Sequence, residues 1–252
     1  MDLGLNGKRA IVIGGTKGLG LAVCEGLAAE GVNLLIFARG QEQLAVSGAD
    51  LEHRFRIQVL TEQGDISSEA DVDRLAARAQ SLEDVQILIV NTPRPPSPMR
   101  DFLDENDPVR WDAAFRDQLH GALLVLRKLT PILLRTGWGR VVAITSASVK
   151  QPMPRHAVST IFRAGVQAAV KHLAMETAAL GVTVNAVAPA TILTPTFGTY
   201  HDLEERIQRT PVKRMGRPEE LAATVAFLCS VQAAFITGEL IQIDGGATLA
   251  LC

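Results

Sequence analysis

The sequence predicts an α/β fold, a doubly wound parallel sheet with helices on both faces, and three observations carry that prediction. Apolar runs such as Ala10-Ile11-Val12-Ile13 and Val141-Val142-Ala143-Ile144 are unbroken, as strands covered on both faces require, and helical patterns separate them. The first run leads into Gly14-Gly15-Thr16-Lys17-Gly18-Leu19-Gly20 and then an apolar helical pattern through Leu27, the order strand, tight turn, helix start. Length and composition fit one domain over residues 1–252: 47% of the residues are hydrophobic and 4% aromatic, with no repeat and no low-complexity tract.

The glycine turn points to a dinucleotide. Glycines let the backbone turn sharply and approach a ligand, and they leave the N–H groups of a helix N-terminus aimed at a pyrophosphate. The second strand, Val32–Phe37, ends at Ala38-Arg39. An acid at this distance from the glycines takes the adenosine ribose hydroxyls, whereas a 2′-phosphate needs that acid absent and a cation present. Ala38 followed by Arg39 therefore favours NADP(H) over NAD(H), the alternative being that Arg39 is a solvated surface cation.

The spacing of Gly14, Gly18 and Gly20 resembles the short-chain dehydrogenase/reductase family, whose pattern is Thr-Gly-x-x-x-Gly-x-Gly; Ile13 stands where that Thr would be. The resemblance implies that Thr16, Lys17 and Leu19 line the same phosphate turn, with Lys17 adding charge for a 2′-phosphate or standing as a second solvated cation. It also implies a seven-stranded sheet in three layers with the Rossmann-like order 3-2-1-4-5-6-7.

A helix around Gln41–Leu51 and a strand near Ile57–Leu60 lead to Gly64-Asp65-Ile66. Asp65, beside Ile66, resembles the family acid that meets the adenine amino group, or else caps a helix over Glu69–Gln80. The fourth strand, Ile87–Val90, ends at Asn91-Thr92-Pro93, where the family has Asn-Asn-Ala-Gly; only Asn91 matches. Pro93, Pro95, Pro96 and Pro98 stiffen this loop into a cleft wall, and Arg94 and Arg100 either meet an anionic substrate group or stay solvated.

From Pro108 to about Arg135 a long helix is expected, with Trp111, Phe115, Leu119, Leu123 and Leu126 on one stripe as core or interface. The family pairs this helix with its twin, which implies a homodimer or homotetramer. Gln118 falls where the family has the Asn of a water relay. Thr145-Ser146, at the end of strand Val141–Ile144, resembles the catalytic Ser, a donor to a carbonyl that gains charge; a strand-end Ser bonding backbone is the alternative.

The family's Tyr and Lys positions hold Ser159 and Arg163, with Arg163-Ala164-Gly165 matching the Lys-Ala-Gly register. Ser159 cannot serve as the acid, and Arg163 can bind the nicotinamide ribose but will not pass a proton on. Ser148-Val149-Lys150-Gln151-Pro152 resembles a family subgroup that also lacks the Tyr and is labelled as 3-oxoacyl-acyl-carrier-protein reductases. His156, Lys150 and Tyr200 are the candidate proton sources, alongside water or the substrate.

The sixth strand, Val182–Val187, leads to Pro189-Ala190-Thr191-Ile192-Leu193-Thr194, which resembles Pro-Gly-x-x-x-Thr and implies that Pro189, Ile192 and Thr194 hold the carboxamide. A substrate lid is expected around 193–213. The last helix is expected from about Arg214-Met215-Gly216-Arg217-Pro218, and Leu240–Ile243 is the last strand.

The net charge of −2 offers no basic face to nucleic acid, and no residues are assigned to a metal. Cys24, Cys229 and Cys252 are too scattered for a disulfide framework, no run of about 18 apolar residues occurs, and no leader is seen, so a cytoplasmic protein is expected. Together these features predict an NADPH-dependent reductase of a small-molecule carbonyl with an atypical active site. Enoyl reduction or isomerisation and a catalytically silent NADP(H)-binding protein are the alternatives.

Overall fold

Strands form where apolar side chains alternate between two covered faces, and helices form between them. The computed structural model describes residues 2–82, 85–195 and 202–251. In chain order it contains β1 (Arg9–Ile13), α1 (Gly18–Ala29), β2 (Asn33–Ala38), α2 (Gln41–Phe55), β3 (Val59–Gln63), α3 (Glu69–Ser81), β4 (Val85–Asn91), α4 (Pro108–Ala114), α5 (Gly121–Leu134), β5 (Gly139–Ile144), α6 (Ala157–Thr177), β6 (Val182–Pro189), α7 (Leu203–Arg209), α8 (Pro218–Cys229) and β7 (Leu240–Ile243). The sheet has seven parallel strands in the order β3-β2-β1-β4-β5-β6-β7, as expected from the sequence.

The pleat sends alternate residues to opposite layers. Ile11, Ile13, Leu35, Phe37, Leu88 and Val90 pack with residues of α3, α5 and α6, whereas Ala10, Val12, Leu34, Ile36, Ile87 and Ile89 pack with residues of α1, α2 and α8. Both layers are built of buried side chains, and each fully buried Leu, Ile or Val contributes roughly 1.5–3 kcal/mol. Cys24 and Cys229 lie in the second layer, where burial pushes the Cys229 thiol up to about 12 and the Cys24 thiol higher still. Cys252 lies outside the described residues.

Several boundaries differ from expectation. Helix α2 continues to Phe55 because Arg56 ends it in the left-handed conformation, and β3 therefore starts later, at Val59. Helix α8 starts at Pro218 rather than near Arg214, with Pro at its first turn and Glu220 accepting the Arg217 N–H at 2.7 Å. The long helix from Pro108 is not uniform: a π turn, Phe115–His120, separates α4 from α5.

The wider turn shifts the helix register by about 100° per inserted residue. Accordingly the expected stripe splits. Trp111, Leu119 and Ala114 form a small cluster with Val158 and Phe162, and Phe115 is partly exposed, while Leu126 joins Val125, Leu129 and Leu133 in the core.

Candidate active site

The predicted site residues lie at and beyond the C-terminal ends of the strands, where a doubly wound sheet opens its crevice. The Gly14 N–H donates to the Phe37 carbonyl at 2.8 Å, fixing the turn against β2. Gly14 and Gly18 have φ of 71° and 56°. A Cβ on Gly20 would sit 2.1 Å from the Gly14 carbonyl oxygen, so only glycine lets α1 cross the turn there. A Cβ on Gly18 would meet nothing nearer than Thr194 Cγ2 at 4.0 Å, so that side of the turn is open for a ligand to approach the backbone.

Around this turn, Thr16 accepts a bond from Ser47 Oγ at 3.3 Å, Leu19 packs partly into the core, and Lys17 stands exposed at the start of α1. Asn91 reaches across from β4, its Nδ2 donating to the Gly14 carbonyl at 3.4 Å. An open cleft of about 670 Å³ is lined by Gly18 and Thr194, with Leu21, Glu25, Leu203 and Glu219 also on its walls.

At the ends of β2 and β3, Ala38 is half-buried and the exposed Arg39 guanidinium lies 3.8 Å from the Asp65 carboxylate. Asp65 does not cap α3. Its Oδ1 accepts the Ser67 N–H and hydroxyl, both at 2.9 Å, and Ser68 is the cap, its hydroxyl accepting from Asp71 N at 3.3 Å. The Ile66 side chain is buried in the core, which leaves its backbone as the part a nucleotide can meet. Asp117, in the π turn, has its carboxyl pushed up by burial and then by the Asp65 charge.

After β6, Pro189 closes the strand and the Ala190 N–H donates to Ile243 at 3.1 Å. The left-handed residue is Thr191, at φ 56°, so Ala at position 190 imposes no conformational cost. Ile192 bridges to Gly216, with Leu193 N–H donating to the Gly216 carbonyl at 2.8 Å and Gly216 N–H to the Thr191 carbonyl at 2.9 Å. The backbone groups of Ile192 itself face away from that bridge. Helix α7, capped by Asp202, falls in the stretch where a lid is expected; Tyr200 lies outside the described residues.

Ser146 lies two residues beyond β5 with its hydroxyl 3.0 Å from the hydroxyl of the fully buried Ser148, and it accepts the Ser148 N–H at 3.2 Å. Ser159 is buried in the first turn of α6 and accepts from Arg163 Nη1 at 3.0 Å. Arg163 Nη2 donates to the Pro93 carbonyl at 3.4 Å, while its Nε is buried without a hydrogen-bond partner among the described residues. Burial, then the neighbouring Arg94 charge, pulls the guanidinium down to about 10.

Gln118 is fully buried, and neither amide atom has a hydrogen-bond partner among the described residues. His156 sits just before α6 with Nδ1 2.7 Å from the Pro154 carbonyl. Burial lowers its pKa, and the charges of Arg206, Arg155 and Arg163 lower it further. A neutral imidazole that donates Nδ1–H to a carbonyl keeps Nε2 as an acceptor, which works against the expected role as acid.

A family model described as Enoyl-(Acyl carrier protein) reductase matches residues 14–248. The chain belongs to the short-chain dehydrogenase/reductase family. It is an oxidoreductase of that family. It is 30% identical over 243 residues to Nodulation protein G of Azospirillum brasilense, covering 95% of this chain and 97% of that protein. It is also 30% identical over 250 residues to a 3-oxoacyl-[acyl-carrier-protein] reductase of Aquifex aeolicus, covering 98% and 99%. L-sorbose reductase of Gluconobacter frateurii, solved with NADPH and L-sorbose, superimposes with a TM-score of 0.91 at 27% identity over 100% of both chains.

Within this short-chain oxidoreductase, three features had no clear signal in the sequence. Glu105 is buried and forms a two-point pair with Arg110, at 2.6 and 2.9 Å, while Arg110 also donates to the carbonyls of Ser97 and Pro98 at 3.3 and 2.6 Å. That pair clamps the proline-rich loop over the start of α6, leaving a cavity of about 10 Å³, room for about one water, lined by Pro95, Met99, His156 and Ser159. Ser148 orients Ser146. Gln151 Oε1 accepts the Leu249 and Ala250 N–H groups at 2.6 and 3.2 Å, tying the C-terminal tail to the segment after β5.

Proposed function

We propose that this oxidoreductase is an NADPH-dependent reductase of a small-molecule carbonyl, with Ser146 as the group that polarises it. The observation that carries this reading is the Ser146–Ser148 pair at the C-terminal end of β5. Ser146 Oγ accepts the Ser148 N–H and lies 3.0 Å from the Ser148 hydroxyl, a pair in which either oxygen can donate; with Ser148 as donor, the Ser146 O–H is left for an oxygen that gains negative charge.

The chain fits a dinucleotide: the Gly18 side of the turn is open, Asn91 braces Gly14, and Arg163 offers a buried Nε–H without a partner among the described residues. The cofactor, when bound, supplies a hydride. Gly14, Thr16, Gly18, Leu19 and Gly20 hold the pyrophosphate, Lys17 and Arg39 the 2′-phosphate, and Asp65, Ile66 and Asn91 the adenosine side. Pro189, Ile192, Thr194 and Arg163 hold the nicotinamide end. NADPH in the sorbose reductase complex supports the choice of NADP(H), as does Ala38 at the position of a ribose-binding acid.

Protonation takes a different course from a Tyr acid. Ser159, accepting from Arg163, keeps its O–H as a donor that stabilises an oxyanion without giving up the proton. Gln118, buried at the π turn with both amide atoms lacking partners among the described residues, has the capacity to hold a relay water. Water is therefore the proton source in this reading.

The test combines cofactor titration and turnover. Nicotinamide fluorescence should show NADPH binding tighter than NADH, and NADPH oxidation with a panel of ketones and 3-oxo compounds should yield alcohols. Undiminished turnover in Ser146→Ala overturns the reading, and a complete lack of NADPH oxidation points to a silent NADP(H)-binding protein. The absent Tyr acid also favours a second reading, reduction of a conjugated double bond, which a saturated ketone as product would establish.

A further inference from the structure

After β7 the chain forms no helix or strand, yet its N–H groups from Gly246 to Ala250 are all engaged. Gly245 and Gly246, at φ of 62° and 84°, turn the chain back. The buried Asp244 takes the first donors: its carboxylate accepts the N–H of Gly246 at 2.9 Å and of Thr248 at 2.8 Å, and its carbonyl accepts that of Ala247 at 3.2 Å. Gln151 takes the next two, its Oε1 accepting from Leu249 at 2.6 Å and Ala250 at 3.2 Å.

Apolar burial does not hold this tail, because Leu249 is 78% and Leu251 97% exposed. Asp244 belongs to the same stretch of chain, whereas Gln151 lies 98 residues from Leu249 in sequence and ties the tail to another part of the molecule. Without that acceptor the Leu249 and Ala250 N–H groups return to water, and a segment with little buried surface opens locally.

The other end of the tie is the turn after β5. Ala147–Val149 is a single 3₁₀ turn, a form with poorer hydrogen-bond geometry than an α-helix. The Val149 N–H donates to the Ser146 carbonyl at 3.0 Å, and the Lys150 and Gln151 N–H groups both donate to the Ala147 carbonyl at 3.1 and 3.2 Å. The turn therefore carries the Ser146–Ser148 pair at its start and Gln151 at its end. No helix or strand follows until α6 starts at Ala157, so the turn has no regular element behind it as a brace.

We propose that Gln151 is a positioning residue for Ser146: by fastening the C-terminal tail to the turn after β5, it holds the Ser146–Ser148 pair in the arrangement that polarises the substrate carbonyl. The inference rests on the reading of Ser146 as the polarising group. It makes the tail a support of the site, although the tail brings no reacting group to it. The tie runs through the acceptor oxygen alone, so it should survive exchange of the amide for a carboxylate and be lost with a thioether of similar length.

The experiment combines amide exchange, followed residue by residue by NMR on the full chain, with steady-state kinetics. In Gln151→Met the Leu249 and Ala250 amides should exchange about tenfold faster or more, while those of Gly246 and Thr248 keep their rates. The Ser148 N–H reports the serine pair without any substrate, and it should also exchange about tenfold faster. The kcat should fall about tenfold, with KM and NADPH affinity within about twofold of wild type, and Gln151→Glu should restore both readouts. Deletion of residues 249–252 removes the donors in place of the acceptor and should match Gln151→Met at Ser148 and in kcat.

Wild-type Ser148 exchange and kcat in both Gln151→Met and the deletion would overturn the inference, as would an effect of Gln151→Met that Gln151→Glu does not reverse. Absence of NADPH oxidation by the wild type, or undiminished turnover in Ser146→Ala, would remove the reading of Ser146. Ser148 exchange would then decide by itself whether the tail holds the pair.

Discussion

At the scale of single residues, the site is a set of hydrogen bonds whose direction decides what each group has left to give. Ser146 accepts the Ser148 N–H and pairs with the Ser148 hydroxyl, which can take the donor's part and release the Ser146 O–H to a substrate; Ser146→Ala should lower kcat/KM by about a hundredfold or more with NADPH affinity unchanged, measured by steady-state oxidation and fluorescence titration. Arg39 faces Asp65 loosely at 3.8 Å and stays exposed, so its charge is available to a 2′-phosphate. Arg39→Ala should weaken NADPH binding about tenfold and leave NADH binding unaltered in the same titration. Gln118 is the opposite case, a buried amide without a protein partner among the described residues. Gln118→Leu should raise the Tm by about 2 °C or more while lowering kcat, a split that separates its relay role from a packing role.

At the scale of elements, the proline-rich loop and the start of α6 are held by charge rather than by an apolar face. Glu105 is only 4% exposed and its Arg110 partner is engaged with loop carbonyls, so Glu105→Gln should cost about 2 kcal/mol in urea denaturation by leaving a partly buried cation without its carboxylate. His156 supplies a pH signature for the start of α6. Its folded pKa lies below the ordinary value of 6.5, so the unfolded chain takes the proton first and stability falls as pH drops from about 7 through the folded pKa. Wild type should therefore lose more Tm than His156→Gln between about pH 7 and pH 5, with no such difference above about pH 7.5. Parallel loss in both proteins would show that His156 does not carry this dependence.

At the scale of the molecule, both helix layers are closed, yet large apolar side chains remain outside them. Phe235 is fully exposed, and Leu249 and Leu251 at the C-terminal tail are exposed as well. We propose a homodimer or homotetramer in which such side chains are covered. Light scattering coupled to size exclusion should give a multiple of 27.0 kDa, and Phe235→Glu should lower it. A monomer in the wild type would remove the proposal. Among the described residues no helix is long and apolar enough to cross a membrane.

The sequence by itself determined the strands and the glycine turn, because unbroken apolar runs and glycine spacing are local patterns that a sheet covered on both faces must contain, while the strand order came from the family resemblance. What only the tertiary structure decided are partnerships between distant segments. The π turn that divides the helix after Pro108, the Glu105–Arg110 clamp, Ser68 rather than Asp65 as the cap of α3, and the lowered pKa of His156 all depend on burial and on charges from other elements. Residue type and spacing carry no record of which distant groups a side chain meets. Those are properties of the packed chain, where desolvation and short distances set the energies.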